Sequence, residues 1–312
     1  MLVILLLGPM THLASGLMSQ PTAYAYIVPA LMATLLLVFV PFAAGVGLAF
    51  FDAGRGEVDS YRFVGLGNFL EILFPSSHAG NSFYFTLGVT LLWTISNVVM
   101  HVAIGLTLAL MLNRPNLRFR GVYRVLLIIP WAVPSYITAL IWKGMFNYQY
   151  GAINQALILV GMSPINWFGQ SFWTNFFANL ATNVWLGFPF MMVVSLGALQ
   201  SIPKELYEAA SMDGASKFQQ LRSITLPLLK PALFPAILLG TIWTFNMFNV
   251  IYLVSGGGPD NQTNILITEA FYQFKVLGRY GFAAAYAIMI FLILLAYALV
   301  TNRVTKATEG AY

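Results

Sequence analysis

The sequence predicts an all-α integral membrane protein, and three observations carry that prediction. Only 8% of the 312 residues are charged, while 59% are hydrophobic. Six apolar segments are each long enough to cross a bilayer, which takes about 20 residues of helix. The basic residues gather in alternate loops rather than over a whole surface. A soluble domain carries roughly 25% Asp, Glu, Lys and Arg, because water faces most of it. A deficit of this size means that the outer surface mostly meets hydrocarbon. The 15% aromatic content, with 7 Trp and 15 Tyr, fits residues seated at the two membrane interfaces.

Taken in order, residues 1–20 are apolar but interrupted at Gly8-Pro9, and they lack the basic stretch that opens a signal peptide. They read either as a seventh span or as a short segment lying against the bundle. Residues 21–312 form the transmembrane domain, with spans predicted at 24–50, 84–112, 122–146, 172–200, 232–254 and 282–302. Pro29 and Pro41 fall in the first span, Pro130 and Pro134 in the third. Membrane helices accept proline where neighbouring groups meet the loosened backbone. Two segments, 51–83 and 147–171, join spans on one side and are rich in aromatic and turn residues. Neither is large enough for a separate domain.

Charge sets the orientation. Arg114, Arg118, Arg120, Arg124, Lys204, Lys217, Arg222, Lys230, Arg303 and Lys306 lie on one side of a six-span topology. Arg55, Arg62, Lys143, Lys275 and Arg279 lie on the other. The richer side is expected in the cytoplasm, together with the C-terminus and the 201–231 loop. The same distribution accounts for the net charge of +5 without nucleic acid. The chain has no cysteine, which removes disulfides and thiolate sites. His12, His78 and His101 lie far apart without ligand spacing, so neither a metal nor any other cofactor is expected on this chain.

The source of energy follows by exclusion. Ion-coupled carriers place ionisable groups deep in the membrane, and no Asp, Glu, Lys or Arg falls near the middle of a predicted span. His101, inside the second span, reads as a hydrogen-bonded bundle residue or as a proton carrier. A phosphate-binding loop needs Gly-x-x-x-x-Gly-Lys-Ser/Thr, and Gly214-Ala215-Ser216-Lys217 lacks both the first glycine and the spacing. An intramembrane hydrolase would need paired catalytic groups at depth, which are missing. What remains is a subunit driven by a separate ATPase, or a self-sufficient channel or secondary carrier for a small polar solute.

The 201–231 loop bears on that choice. Pro203 stands where a helix starts, Glu205, Glu208, Ala209 and Ala210 follow, and Gly214 ends it in a left-handed turn. Phe218, Leu221 and Ile224 predict a second short helix before Leu226-Pro227. Glu208-Ala209-Ala210, three residues, Gly214, then Ile224-x-Leu226-Pro227 resembles the EAA loop of binding-protein-dependent ABC importer permeases. The stretches 205–215, 252–260 and 185–190 resemble the carbohydrate branch, that of the maltose, glycerol-phosphate and multiple-sugar permeases.

The resemblance, over about 84–305, implies a six-span type I ABC importer permease core in a bacterial cytoplasmic (inner) membrane. It implies a coupling helix at about 205–220 seated in an ATPase, with contacts from Glu208, Ala209, Ala210, Met212, Asp213, Gly214 and Ala215. The implied partners are a second six-span permease subunit, a dimer of ATP-binding subunits that use ATP-Mg, and an extracytoplasmic sugar-binding protein. This chain would then be a non-catalytic half of a sugar path. The long maltose permeases carry a large external domain, for which there is no counterpart between the third and fourth predicted spans here.

Sugars take aromatic faces plus amides and hydroxyls, and the fifth span offers Thr241, Trp243, Thr244, Asn246 and Asn249. Spacing of three and four places Trp243, Asn246 and Met247 on one helical face. The resemblance implies a sugar site on Leu186, Gly187, Phe190, Trp243, Thr244, Asn246 and Met247, with Phe190 where the maltose branch has tyrosine and Met247 where it has a polar residue. Asn97 and Asn183 read as packing or gate residues.

Overall fold

Among the described residues, five helices are long and apolar enough to cross a bilayer, and one bent pair makes six. The structure is a computed structural model describing residues 21–54, 61–75, 82–114 and 116–309. The apolar segment 1–20, with His12, and His78 lie outside the described residues. The spans are α1 (Ala25–Leu48), α3 (Phe83–Leu112), the pair α4 (Arg120–Ala132) and α5 (Ser135–Met145), α7 (Phe172–Gln200), α9 (Lys217–Ser255) and α11 (Tyr280–Glu309). Between them lie α2 (Gly67–Leu73), α6 (Ala152–Leu159), α8 (Lys204–Met212) and α10 (Leu266–Lys275), with a ribbon of β1 (Phe51–Asp52) and β2 (Arg62–Phe63).

The centre of the bundle is the pair α3 and α7. A Cβ on Gly105 would stand 2.7 Å from both the Met191 Cβ and the Met192 backbone nitrogen. A Cβ on Gly187 would collide with the His101 imidazole. Gly105 therefore lets the helices approach through backbone and Gly187 makes room for the His101 ring, as small residues do in membranes, where no hydrophobic effect drives association. Asn183 donates to the Asn97 Oδ1 across the same seam at 2.8 Å, and the His101 Nε2 lies 3.0 Å from the Asn183 carbonyl. An interhelical bond of this kind stabilises by about 0.6 kcal/mol on average. Asn97 and Asn183 thus join helices.

Two predicted elements differ from the structure. The third span is not one helix: α4 runs through Pro130 but stops at Ala132, and α5 leaves at 93°. Val133 is extended (φ −81°, ψ 133°), the conformation that the following Pro134 imposes on it. The short helix predicted after Gly214 is instead the start of α9, which continues for 39 residues. It passes Pro227 through a π turn at Leu221–Thr225, which absorbs the proline's missing donor.

At the end of the bundle opposite the 201–231 loop, α10 lies against α11 and α3, and the Thr90 hydroxyl accepts from the Leu266 N–H at 2.9 Å. Arg279 pairs with Glu71 at 2.7 Å and lies 4.0 Å above the Phe282 ring, tying α2 to the start of α11. Span α1 is exposed along most of its length and meets α11 through Phe42 and Phe291, with ring centres 5.6 Å apart. Gly105→Ala should destabilise the bundle by about 1–3 kcal/mol through overpacking, lowering its thermal inactivation temperature in detergent. Gly88→Ala, on the same helix with nothing within 4 Å, should leave that temperature unchanged.

Candidate functional site

Helix α9 breaks inside the bundle, and the break shapes the site. It holds helical geometry to Phe245, after which Asn246 (φ −101°, ψ 21°) and Met247 (φ −75°, ψ 74°) leave it. In hydrocarbon each freed backbone group needs a partner. The Trp93 indole donates to the Thr244 carbonyl at 3.0 Å, and the Asn246 side chain donates to the Ile242 carbonyl at 3.1 Å. The single helical face expected for Trp243, Asn246 and Met247 is therefore absent, because the helix ends between them.

Beside the break lies a cavity of about 330 Å³. It is lined by Leu186, Gly187 and Phe190 of α7, by Trp243, Thr244 and Met247 at the break, and by Trp131 to Ser135 at the α4–α5 bend. His101 and Asn183 complete its inner wall. Phe190 sits between two indoles, its ring centre 5.3 Å from Trp243 and 6.1 Å from Trp131. Trp131 and Trp243 are each about half exposed, which leaves aromatic faces open to a ligand. Asn246 does not line this cavity; it lines an adjoining hollow with Trp243, Met247, Phe248 and Asn249.

Trp131 and Ser135 were not anticipated from the sequence. Pro134 was the available signal, since a proline after an extended residue breaks a span. Asn249 donates to the Ser135 hydroxyl at 3.0 Å, fastening the resumed helix to the start of α5. Among the described residues, no Asp, Glu, Lys or Arg lines the cavity.

A second polar knot stands where α7 begins. Asn179 donates to Asn175 at 2.7 Å and to Ser255 at 2.9 Å, and Thr263 donates toward Asn175 at 3.1 Å. Together they hold the glycine turn, in which Gly256 and Gly257 take positive φ of 68° and 82°. Nearby, the buried Glu269 carboxylate accepts from Asn264 at 3.2 Å and from Gln273 at 2.9 Å. The spans alone gave no sign of it, because α10 falls between them.

At the far end, α8 begins after extended Pro203 and stops at Gly214, whose φ is +80°. The Gly214 N–H bonds the Ser211 carbonyl at 3.1 Å and the Ala215 N–H bonds that of Ala210 at 2.9 Å, the paired closure of a Schellman turn. Nothing lies within 4 Å of a Cβ placed on Gly214, so conformation and not crowding selects glycine there. Ser216 then caps α9 in a box with Gln219. The Tyr207 hydroxyl meets Thr225 at 2.9 Å, and Gln220 donates to Ser211 at 2.8 Å. Glu208, Ala209, Met212, Asp213 and Gly214 are exposed, while Ala210 and Ala215 are half-buried. Met212 is 86% exposed and Phe218 70%, so this elbow offers an apolar surface beside its charges.

Comparison with known proteins agrees with this anatomy. The trehalose/maltose transport permease MalF of Thermococcus litoralis is 38% identical over 91% of this chain and 93% of its own. The galactooligosaccharide transport permease GanP of Bacillus subtilis is 36% identical over 91% of this chain and 70% of its own. In fold, the chain superposes with a TM-score of 0.79 on a subunit of a bacterial ABC transporter that imports alginate, at 21% identity, over 95% of this chain and 99% of that one. The profile of the binding-protein-dependent transport system inner membrane component matches residues 101–309. With that match over two-thirds of its length, and with relatives named as permeases rather than catalytic subunits, the chain belongs to the inner membrane component family of binding-protein-dependent transport systems.

Proposed function

We propose that this chain forms half of the translocation path of an ATP-driven importer for maltose or a related oligosaccharide. The observation that carries the reading is the reach of α9. One helix holds the elbow at Lys217 and the cavity wall at Trp243 and Thr244, so a push on one end acts on the other. The relatives named for maltose, trehalose and galactooligosaccharide transport support a sugar as cargo.

In this reading the 201–231 loop and the C-terminus face the cytoplasm, and α8 seats on a dimer of ATP-binding subunits that hydrolyse ATP-Mg. Glu208 pairs with a basic group there, and Met212 fills an apolar recess. Closure of that dimer moves α8, and the Schellman turn with the Tyr207–Thr225 bond carries the motion into α9. The break at Asn246–Met247 lets the far part of α9 lag, which opens or closes the cavity. A second permease subunit supplies the other wall, and an extracytoplasmic sugar-binding protein delivers the cargo. Phe190, Trp131 and Trp243 stack on the C–H faces of the sugar. Leu186, Gly187 and Met247 shape the pocket floor, Thr244 meets a hydroxyl, and Asn246 guards the adjoining hollow.

The first experiment purifies the chain in mild detergent with whatever co-elutes. A second six-span subunit and an ATPase should co-purify, and Glu208→Lys should lose the ATPase. A chain that elutes alone and transports without ATP would instead be a passive carrier. Gly214→Asp should leave the protein in the membrane and abolish ATP-driven uptake. Gly214→Asn should keep a substantial part of it, because asparagine tolerates the left-handed conformation. Equal loss in both variants would show that side-chain bulk, not backbone conformation, governs the elbow.

A further inference from the structure

The passage from α3 into α4, at the α8 end of the bundle, gathers Arg114, Arg118, Arg120 and Arg124. The chain holds no Asp or Glu between Glu71 and Glu205. Among the described residues, no carboxylate pairs with any of these arginines. A guanidinium is a planar fork of five donors, so each keeps donors to spare for an anion. The loop that carries them is fastened at two points. Leu117 packs against the core cluster around Leu112 and Leu229, and the Arg120 guanidinium donates to the Arg114 carbonyl at 3.0 Å. That bond closes the loop and keeps Arg114, Arg118 and Arg120 close together.

A second, separate observation concerns Phe119. Its φ is 59°, in the left-handed region that a bulky side chain enters only at a cost. Among the described residues, the other non-glycine positions with positive φ are Asp260 and Asn261, whose short polar side chains tolerate it. In this conformation the Phe119 ring stands outward, 68% exposed, with the Arg118 guanidinium 5.9 Å from its centre. Val122, Tyr123, Val125 and Leu126 are exposed on the turns that follow, so the ring continues the face that α4 shows to hydrocarbon. Strain kept at one residue points to a task for that residue.

We propose that Arg114, Arg118 and Arg120, with Phe119 beside them, bind the phosphate headgroup of an anionic phospholipid in the leaflet at the α8 end. The guanidinium forks take the phosphate oxygens in paired hydrogen bonds. Phe119 sits among the acyl chains next to that headgroup, as aromatic residues do at membrane interfaces. Arg124, one helical turn past Arg120, adds its positive charge. A phosphate in solution would meet the same arginines, but it has no use for Phe119 or for the apolar side chains beyond it. A zwitterionic lipid offers a phosphate too, yet its ammonium opposes the positive charges, whereas an anionic lipid is drawn to them. The site is independent of what the cavity carries.

The chain, purified in mild detergent with whatever co-elutes, is titrated with phosphatidylglycerol and separately with phosphatidylcholine, and bound lipid is counted by native mass spectrometry. The wild type should hold phosphatidylglycerol about tenfold more tightly or better. Arg118→Gln should weaken that binding about fivefold, and Arg114→Gln with Arg118→Gln about tenfold or more, leaving phosphatidylcholine unaffected. Arg118→Lys should fall between the wild type and Arg118→Gln, because it keeps the charge without the fork. Lys230→Gln with Arg303→Gln removes equal charge from exposed positions on α9 and α11, and should leave the lipid bound as in the wild type.

Phe119→Gly separates a seat in lipid from a role in folding. Glycine adopts the left-handed conformation freely, so this variant should keep or raise the thermal inactivation temperature while holding phosphatidylglycerol less tightly. Unchanged lipid binding there would overturn the part given to the ring. Equal affinity of the wild type for the two lipids, or equal loss in the Lys230 and Arg303 pair, would overturn the site in favour of diffuse charge. Inorganic phosphate should displace the lipid only weakly, and displacement as strong as that by lipid would assign the arginines to a soluble anion. If Arg114→Gln with Arg118→Gln keeps the lipid but loses a co-eluting ATPase, the patch is a protein contact and the proposal fails.

Discussion

Inside a bilayer, a backbone N–H or carbonyl that leaves a helix has no water to turn to, and the irregular parts of α9 are arranged around that constraint. At the break in α9 the Trp93 indole donates to the Thr244 carbonyl, whose regular helical partner is lost. The glycine turn after α9 is met by Asn175, Asn179 and Thr263. The α4–α5 bend is fastened through Ser135 to Asn249. Several buried polar side chains of the continuous helices reach across to irregular backbone, as Trp93 does to Thr244 and Thr90 to Leu266, and the cavity lies between two departures from regular helix.

The same reasoning explains how a signal could travel. Two continuous helices at the centre, α3 and α7, are pressed together at Gly105 and Gly187. Against this fixed pair, α9 has three departures from α-geometry: the π turn at Leu221–Thr225, the break at 246–247 and the π turn at Ile251–Ser255. Irregular turns of this kind are where helices bend. The element that reaches from elbow to cavity is thus also the one furnished with hinges.

Most of the architecture was legible in the sequence, because length and apolarity alone mark a span. The ends of α3 and α7 differ from expectation by at most a residue. Gly214 could be placed as an elbow from its position after Ala209 and Ala210, and its φ of +80° agrees. What hydropathy could not reveal was continuity. Pro134 ends a helix while Pro130, Pro189 and Pro227 are carried through one, and the difference lies in whether the preceding residue stays helical. Six of the seven residues expected at the sugar site gather round one cavity, and Asn246 lies beside it. Ser135 and Trp131 escaped notice because their place in the cavity depends on the bend, a tertiary feature.

The spans α1, α3 and α7 contain no charged residue at all, and those of α4, α5, α9 and α11 keep theirs toward the ends. Carrying one elementary charge through a potential of 100 mV involves about 2.3 kcal/mol of electrical work. A rearrangement of these helices displaces no formal charge of this chain across the centre of that field. Membrane voltage therefore finds no formal charge to grip at the centre of the described spans.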